Sequence, residues 1–138
     1  MIKPKVLFLC TGNSCRTQMA EAFLRDLAGD RFEITSAGNE LTPLDSEAVD
    51  ATREIGIEIA DQTPKDLSKF LGRRFTYVIS LCDRRQERTC PVFPGATWRL
   101  QWEINNPAFA ESPEEHYKAV RQARDQIRKQ VIEFVDKN

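Results

Sequence analysis

Residues 5–17 read Lys5-Val6-Leu7-Phe8-Leu9-Cys10-Thr11-Gly12-Asn13-Ser14-Cys15-Arg16-Thr17, and this stretch decides the fold. Residues 6–9 are continuously apolar, as a parallel strand covered on both faces requires. Residues 10–16 are then long enough to curl round one tetrahedral oxyanion, with successive backbone N–H groups pointing inward and a helix N-terminus behind them. Gly12 and Asn13 suit the positive φ of so tight a loop. Arg16 closes the ring, because its planar guanidinium offers paired donors to two oxygens where a lysine would offer a point charge. Cys10 ends the strand at the mouth of this positive site, where a thiolate is stabilised as a nucleophile, and Thr17 is placed to hydrogen-bond it. The candidate oxyanion-binding residues are therefore Thr11, Gly12, Asn13, Ser14, Cys15 and Arg16. A cysteine at a strand end can also be a small buried hydrophobe, but the strand before and the helix after favour a catalytic loop.

Outward from the loop, strands and helices alternate. Met19, Phe23, Leu24 and Leu27 give the first helix one apolar side, and Ala28-Gly29-Asp30 stops it. Residues 32–36 read as a second strand leaving through Ala37-Gly38. Asp45 or Ser46 can cap a helix to about Ile55, ended by Gly56, and Thr63 with Pro64 can start a short helix whose apolar face is Leu67, Phe70 and Leu71. Residues 77–81 form a third strand ending at Cys82, and residues 96–100 a fourth. Ser112, Pro113 and Glu115 begin a last helix with Tyr117, Val120, Ile127, Val131 and Phe134 or Val135 inward. This order predicts an α/β fold with a small parallel four-stranded sheet between helical layers. Ligands bind such sheets at strand carboxyl ends, so Cys10 and Cys82 share one rim.

The 138 residues, 41% hydrophobic and 30% charged, suit one domain spanning 1–138. A net charge of −1 gives no reason to expect nucleic acid or an anionic membrane. The N-terminal apolar run is too short for a signal peptide or a membrane span, so a cytoplasmic protein is expected. In that compartment four cysteines point to catalytic, redox or metal roles. The spacings Cys10 to Cys15 and Cys82 to Cys90 do not match paired zinc ligands, so no metal is assigned, and His116 is read as a surface residue. Across an intact helix the Cα atoms of Cys82 and Cys90 would lie about 12 Å apart, beyond the roughly 4.4–6.8 Å of a disulfide. Bonding them requires the segment 83–89 to loop out. Its polar composition predicts little loss of core burial on doing so, and hence a redox-switched segment.

Residues 10–23, CTGNSCRTQMAEAF, together with Ser36-Ala37-Gly38, resemble the low-molecular-weight tyrosine phosphatase superfamily, and residues 81–91, LCDRRQERTCP, extend the resemblance to its thioredoxin-coupled arsenate reductases. The resemblance implies a three-layer α/β/α sandwich with a phosphate-binding loop after the first strand. It also implies catalytic roles for Cys10, Arg16, Thr17, Cys82 and Cys90. Cys10 would attack arsenate, Cys82 would attack Cys10 as arsenite leaves, and Cys90 would resolve the product into a Cys82–Cys90 disulfide for thioredoxin. Cys15 would be the dispensable thiol. No cofactor is implied, the partners are thioredoxin and an arsenate- or phosphate-like oxyanion, and a monomer is expected. Two departures stand out. Asn106 occupies the position of the family's general-acid aspartate, leaving Glu103, Asp83 and Glu111 as substitute acids. Lys65 occupies a position where some relatives place an acid that helps hold potassium with the matches to Asn13, Glu21, Ser36 and Thr63; its ammonium could replace the cation and pair with Glu21. The alternatives are a low-molecular-weight protein tyrosine phosphatase, or an oxyanion-binding or redox-sensing module without turnover.

Overall fold

The computed structural model describes residues 2–83, 87 and 90–138. Its elements in chain order are β1 (Lys5–Leu9), α1 (Arg16–Ala28), β2 (Glu33–Ala37), α2 (Ser46–Arg53), a 3-10 helix (Leu67–Phe70), β3 (Phe75–Ser80), β4 (Ala96–Gln101), a second 3-10 helix (Pro107–Phe109) and α3 (Pro113–Lys137). The strands form one parallel sheet in the order β2-β1-β3-β4. Alternation along the central strand β1 divides its side chains between two cores. Val6 and Phe8 pack with Met19, Phe23 and Leu24 of α1, Ala48 and Ala51 of α2, and Val120, Ile127, Val131 and Phe134 of α3. Leu7 and Leu9 pack with Phe75, Val78 and Phe93, covered by Leu67 and Phe70. The sandwich is therefore asymmetric, with three helices on one face and a thinner 3-10 and loop layer on the other.

The chain passes from β1 to β2 on one side, then recrosses to β3 on the other side of β1. The strand order thus reverses between β1 and β3, where an open parallel sheet forms a crevice at its carboxyl edge. Cys10 follows β1 and Cys82 follows β3 at this place, and the Leu81 N–H donates to the Leu9 carbonyl at 2.9 Å. Among the described residues no helix is long and apolar enough to cross a membrane.

Several sequence expectations shift. Leu27 is 50% exposed and Tyr117 is 44% exposed, since each lies on a helix where the neighbouring layer no longer covers it. Tyr117 is instead covered by the Arg121 guanidinium. Helix α2 ends at Arg53, and Gly56 takes φ +83 just beyond it. The short helix is capped by Asp66, which accepts from the Ser68 N–H at 2.8 Å, and not by Thr63. Thr63 and Lys65 are committed elsewhere: the Thr63 carbonyl accepts from Gln18 Nε2, and the Lys65 N–H donates to Asn13 Oδ1. Trp102 packs against Phe8 and Phe134 in the core, whereas Trp98 on edge strand β4 is exposed.

His116 is more than a surface residue. Its Nδ1 lies 2.7 Å from the Pro107 carbonyl and its Nε2 lies 2.8 Å from Asp45 Oδ2. Asp45 caps α2 through its side chain, and its own N–H donates to the Ser14 carbonyl at 2.9 Å. His116 therefore ties the first turn of α3 to both the Pro107 loop and the anion loop. A carbonyl can only accept, so Nδ1 carries a proton, while Nε2 faces the carboxylates of Asp45 and Glu47. Burial opposes the charged ring, but the Pro107 carbonyl and the two carboxylates outweigh it and raise the pKa above the usual histidine value. A raised folded pKa contributes stability that is complete below the unfolded value of about 6.5 and is lost as pH rises through the folded value. The melting temperature of wild type should therefore exceed that of His116→Asn most at acidic pH, and the gap should narrow on the alkaline side; a gap independent of pH would contradict the clamp.

Candidate active site

The loop after β1 is shaped from inside by Asn13, the one described non-glycine residue with positive φ, at 51°. Its Nδ2 donates to Thr17 Oγ1 at 2.8 Å and Ser36 Oγ at 2.9 Å, while its Oδ1 accepts from the Lys65 N–H at 2.7 Å and Gln18 Nε2 at 3.2 Å. Gly12, expected at positive φ beside it, has another reason to be glycine: a Cβ there would stand 2.8 Å from Thr42 Oγ1. Gly38 is more constrained, because its Cβ would meet the Thr11 carbonyl at 2.4 Å.

Cys10 is buried at the start of the loop. Its Sγ lies 3.1 Å from Thr17 Oγ1 and accepts from the Asn13 N–H at 3.3 Å. Among the described residues no backbone acceptor is found for the N–H groups of Thr11, Gly12, Ser14 and Cys15. The loop, Glu40, Thr42 and Asn106 enclose a cavity of about 150 Å³. Cys15 sits just before α1, buried in the core; burial, and then the negative charge of Asp45, push its thiol well above the usual range. Burial thus disfavours its thiolate form.

Arg16 is 3% exposed and tied down by three segments. Its Nη1 donates to the Leu81 and Ile104 carbonyls, each at 3.0 Å, and its two terminal nitrogens grip the Glu87 carboxylate, with Nη2 2.9 Å from Oε2. Glu87 Oε2 also accepts from Thr11 Oγ1 at 3.2 Å and Oε1 from the Asp83 N–H at 2.9 Å. Within the polar 83–89 segment, Asp83 and Glu87 are both buried. Burial alone would raise the Glu87 pKa, but the hydrogen bond and charge of Arg16 outweigh it, and the carboxyl is held below its usual range. Cys82 and Cys90 form a disulfide, with Cα atoms 6.0 Å apart. Cys82 is fully buried, whereas Cys90 is partly exposed with Sγ 3.2 Å from Ser80 Oγ. Residues 84–86, 88 and 89 of the expected switch segment lie outside the described residues.

Asn106 caps the 3-10 helix that follows it, its Oδ1 accepting from the Ala108 N–H at 3.0 Å. Of the substitute acids, Glu103 and Glu111 are exposed and Asp83 is buried, and none lines the cavity; Glu40 does. Behind the loop, Lys65 Nζ lies 3.1 Å from Glu21 Oε1 and 3.3 Å from the Thr63 carbonyl, and Glu21 Oε1 accepts from Ser36 Oγ at 2.7 Å. The ammonium thus stands among the side chains that the family resemblance links to potassium.

The profile of the low molecular weight phosphotyrosine protein phosphatase family matches residues 5–138. The chain belongs to this family. An arsenate reductase of Halalkalibacterium halodurans is 39% identical over 137 residues, covering 99% of this chain and 98% of its own. A solved arsenate reductase in the phosphate-binding state superposes with a TM-score of 0.81 at 29% identity, over 97% of this chain and 98% of that one. A thioredoxin-dependent arsenate reductase of Corynebacterium glutamicum superposes with a TM-score of 0.64 at 28% identity, over 94% of this chain and 62% of that longer one.

Sequence reasoning missed Gln18, Glu40, Thr42 and Glu87. Gln18 carried a signal, a polar residue on the inner side of α1, where it bridges Asn13 to Thr63. Glu40, Thr42 and Glu87 lie in segments with no periodicity. With the Lys65 ammonium seated on Glu21 and the Thr63 carbonyl, phosphate affinity should be the same in potassium and sodium salts, and Lys65→Asp should make it depend on potassium. A clear potassium preference in wild type, read by calorimetric titration, would show that the ammonium does not replace the ion.

Proposed function

We propose that this chain, acting as a single cytoplasmic domain and as a monomer, reduces arsenate to arsenite through a three-thiol relay regenerated by thioredoxin. The observation that carries the reading is the Cys82–Cys90 pair, bonded at the same crevice that holds the Cys10 loop. A phosphatase has no use for that pair, whereas a reductase must obtain two electrons. The arsenate reductase relatives support the same substrate.

In this scheme arsenate takes the loop N–H groups and Arg16, and the Cys10 thiolate attacks arsenic as one oxygen leaves as water. Thr17 donates to the sulfur. The Cys82 thiolate then attacks Cys10 Sγ; the electron pair of the sulfur–arsenic bond passes to arsenic, which leaves as arsenite, and a Cys10–Cys82 disulfide forms. Cys90 attacks Cys82 Sγ and frees the Cys10 thiolate. The resulting Cys82–Cys90 disulfide presents its partly exposed member, Cys90, to the incoming thiolate of thioredoxin, whose dithiol returns two electrons. Cys15 takes no step.

Arsenate-dependent NADPH oxidation with thioredoxin and thioredoxin reductase should be observed, and Cys90→Ser should abolish steady turnover. Aryl phosphate hydrolysis that survives Cys90→Ser, without arsenate turnover in wild type, would make the protein a phosphatase; inactivity in both assays would leave an oxyanion-binding or redox-sensing module. Asn106→Asp restores a proton donor at the cavity and should raise aryl phosphate hydrolysis by roughly 10²-fold or more, with a smaller effect on arsenate reduction. An unchanged hydrolysis rate would show that another group supplies the proton.

A further inference from the structure

We propose that His116, Asp45 and Glu47 form a site for one divalent transition-metal ion of the zinc class, outside the cavity of the Cys10 loop and independent of its oxyanion reading. The side chains come from the N-terminus of α2 and the first turn of α3, and none of them lines that cavity. One ligand atom from each lies within 4.8 Å of the other two. His116 Nε2 is 2.8 Å from Asp45 Oδ2 and 3.5 Å from Glu47 Oε2. Because Nδ1–H donates to the Pro107 carbonyl, the Nε2 lone pair of a neutral ring faces two carboxylates. That arrangement needs a cation in the middle. A proton on Nε2 bonds to Asp45 and leaves Glu47 Oε2, which is buried and has no hydrogen-bond partner among the described residues. A metal ion satisfies all three ligands.

The surroundings hold these ligands as metal ligands are held. A histidine that donates its other ring N–H to a backbone carbonyl has its tautomer and ring orientation fixed. Asp45 Oδ1 takes the Glu47 N–H at 2.9 Å, which leaves Oδ2 turned to the histidine. Tetrahedral ligands at about 2.0–2.1 Å stand about 3.4 Å apart, close to the 3.5 Å between Nε2 and Glu47, so only the 2.8 Å Asp45 pair has to open. One imidazole nitrogen with two carboxylates suits zinc and its neighbours, whereas calcium and magnesium take oxygen ligands. The side chains are 17–28% exposed, which gives an ion entry and leaves a water in the fourth position. Two carboxylates and a neutral imidazole carry two negative charges, which a dication cancels. On binding, the Nε2 proton passes to solvent and its electron pair forms the nitrogen–metal bond, with no change of oxidation state.

Zinc chloride titrated into the disulfide form, in which Cys82 and Cys90 offer no thiolate, tests the site by calorimetry and proton NMR. His116 is the single histidine of the sequence, so every imidazole signal is its own. One zinc per chain should bind, shift those signals and raise the melting temperature. Glu47→Gln keeps the His116–Asp45 bond and the Asp45 cap; without metal it should melt near wild type, yet bind zinc at least about tenfold more weakly. His116→Asn should weaken binding by about a hundredfold or more. The first equivalent of cobalt(II) should give a spectrum without a thiolate charge-transfer band, as nitrogen and oxygen ligands require. Imidazole signals unmoved by zinc, a thiolate band from the first equivalent of cobalt(II), or equal zinc affinity in Glu47→Gln and wild type overturns the site and leaves the proposed function standing.

Discussion

The arrangement of the crevice depends on the carboxamide of Asn13. A non-glycine residue held at φ 51° is strained by about 1–3 kcal/mol and persists only where its surroundings hold it. Here α1, β2 and the Lys65 segment do so, through hydrogen bonds to Thr17, Gln18, Ser36 and the Lys65 N–H. The network also has a direction. Thr17 Oγ1 accepts from Asn13 Nδ2, which leaves its single proton available to a Cys10 thiolate 3.1 Å away. The residue that bends the loop therefore also orients the hydroxyl facing the sulfur, and leaving such buried polar groups unpaired would cost about 1–3 kcal/mol each.

Arg16 plays a second organising part. Its carbonyl partners Leu81 and Ile104 follow β3 and β4, so the ends of two strands fix the cation of a loop that belongs to β1. The parallel sheet accounts for this, since every strand delivers its carboxyl end to the same edge. The segment bearing Cys82 and Cys90 and the loop bearing Asn106 both start from that edge, and each is one step from the guanidinium.

The parts of this plan that could be read from sequence are those whose causes are local. The apolar run before Cys10, the helical spacing of Met19, Phe23 and Leu24, and the Ser112 cap depend on neighbours within a few residues, and all are found. Leu27 and Tyr117 share the same periodicity, but whether a helix face is covered depends on where the next layer stops. His116 and Asp45 are 71 residues apart, and Glu87 and Arg16 are also separated by 71. A charged side chain in a polar segment reads as solvated until the fold brings an opposite charge to it. Thr63 shows the remaining kind of miss, in which a good cap signal is overruled because the loop needs that backbone. The cradle was legible because it is built from consecutive residues; what closes or braces it comes from distant ones.

Asn106 bears on the choice between the chemistries open to this family. Its side chain caps a 3-10 helix, a task an aspartate does equally well, so the amide is not required by the local fold. What the amide lacks is a proton to give, and the two candidate reactions differ in where a proton is needed. Hydrolysis of a phosphate ester expels an alkoxide, a poor leaving group without protonation. In the proposed relay an oxygen of arsenate can leave as water after protonation by solvent, and the later step breaks a sulfur–arsenic bond through thiolate attack, which needs no acid at position 106. An asparagine at 106 would therefore weaken ester hydrolysis and spare the electron-transfer step of the proposed relay, for which the same crevice edge carries Cys82 and Cys90.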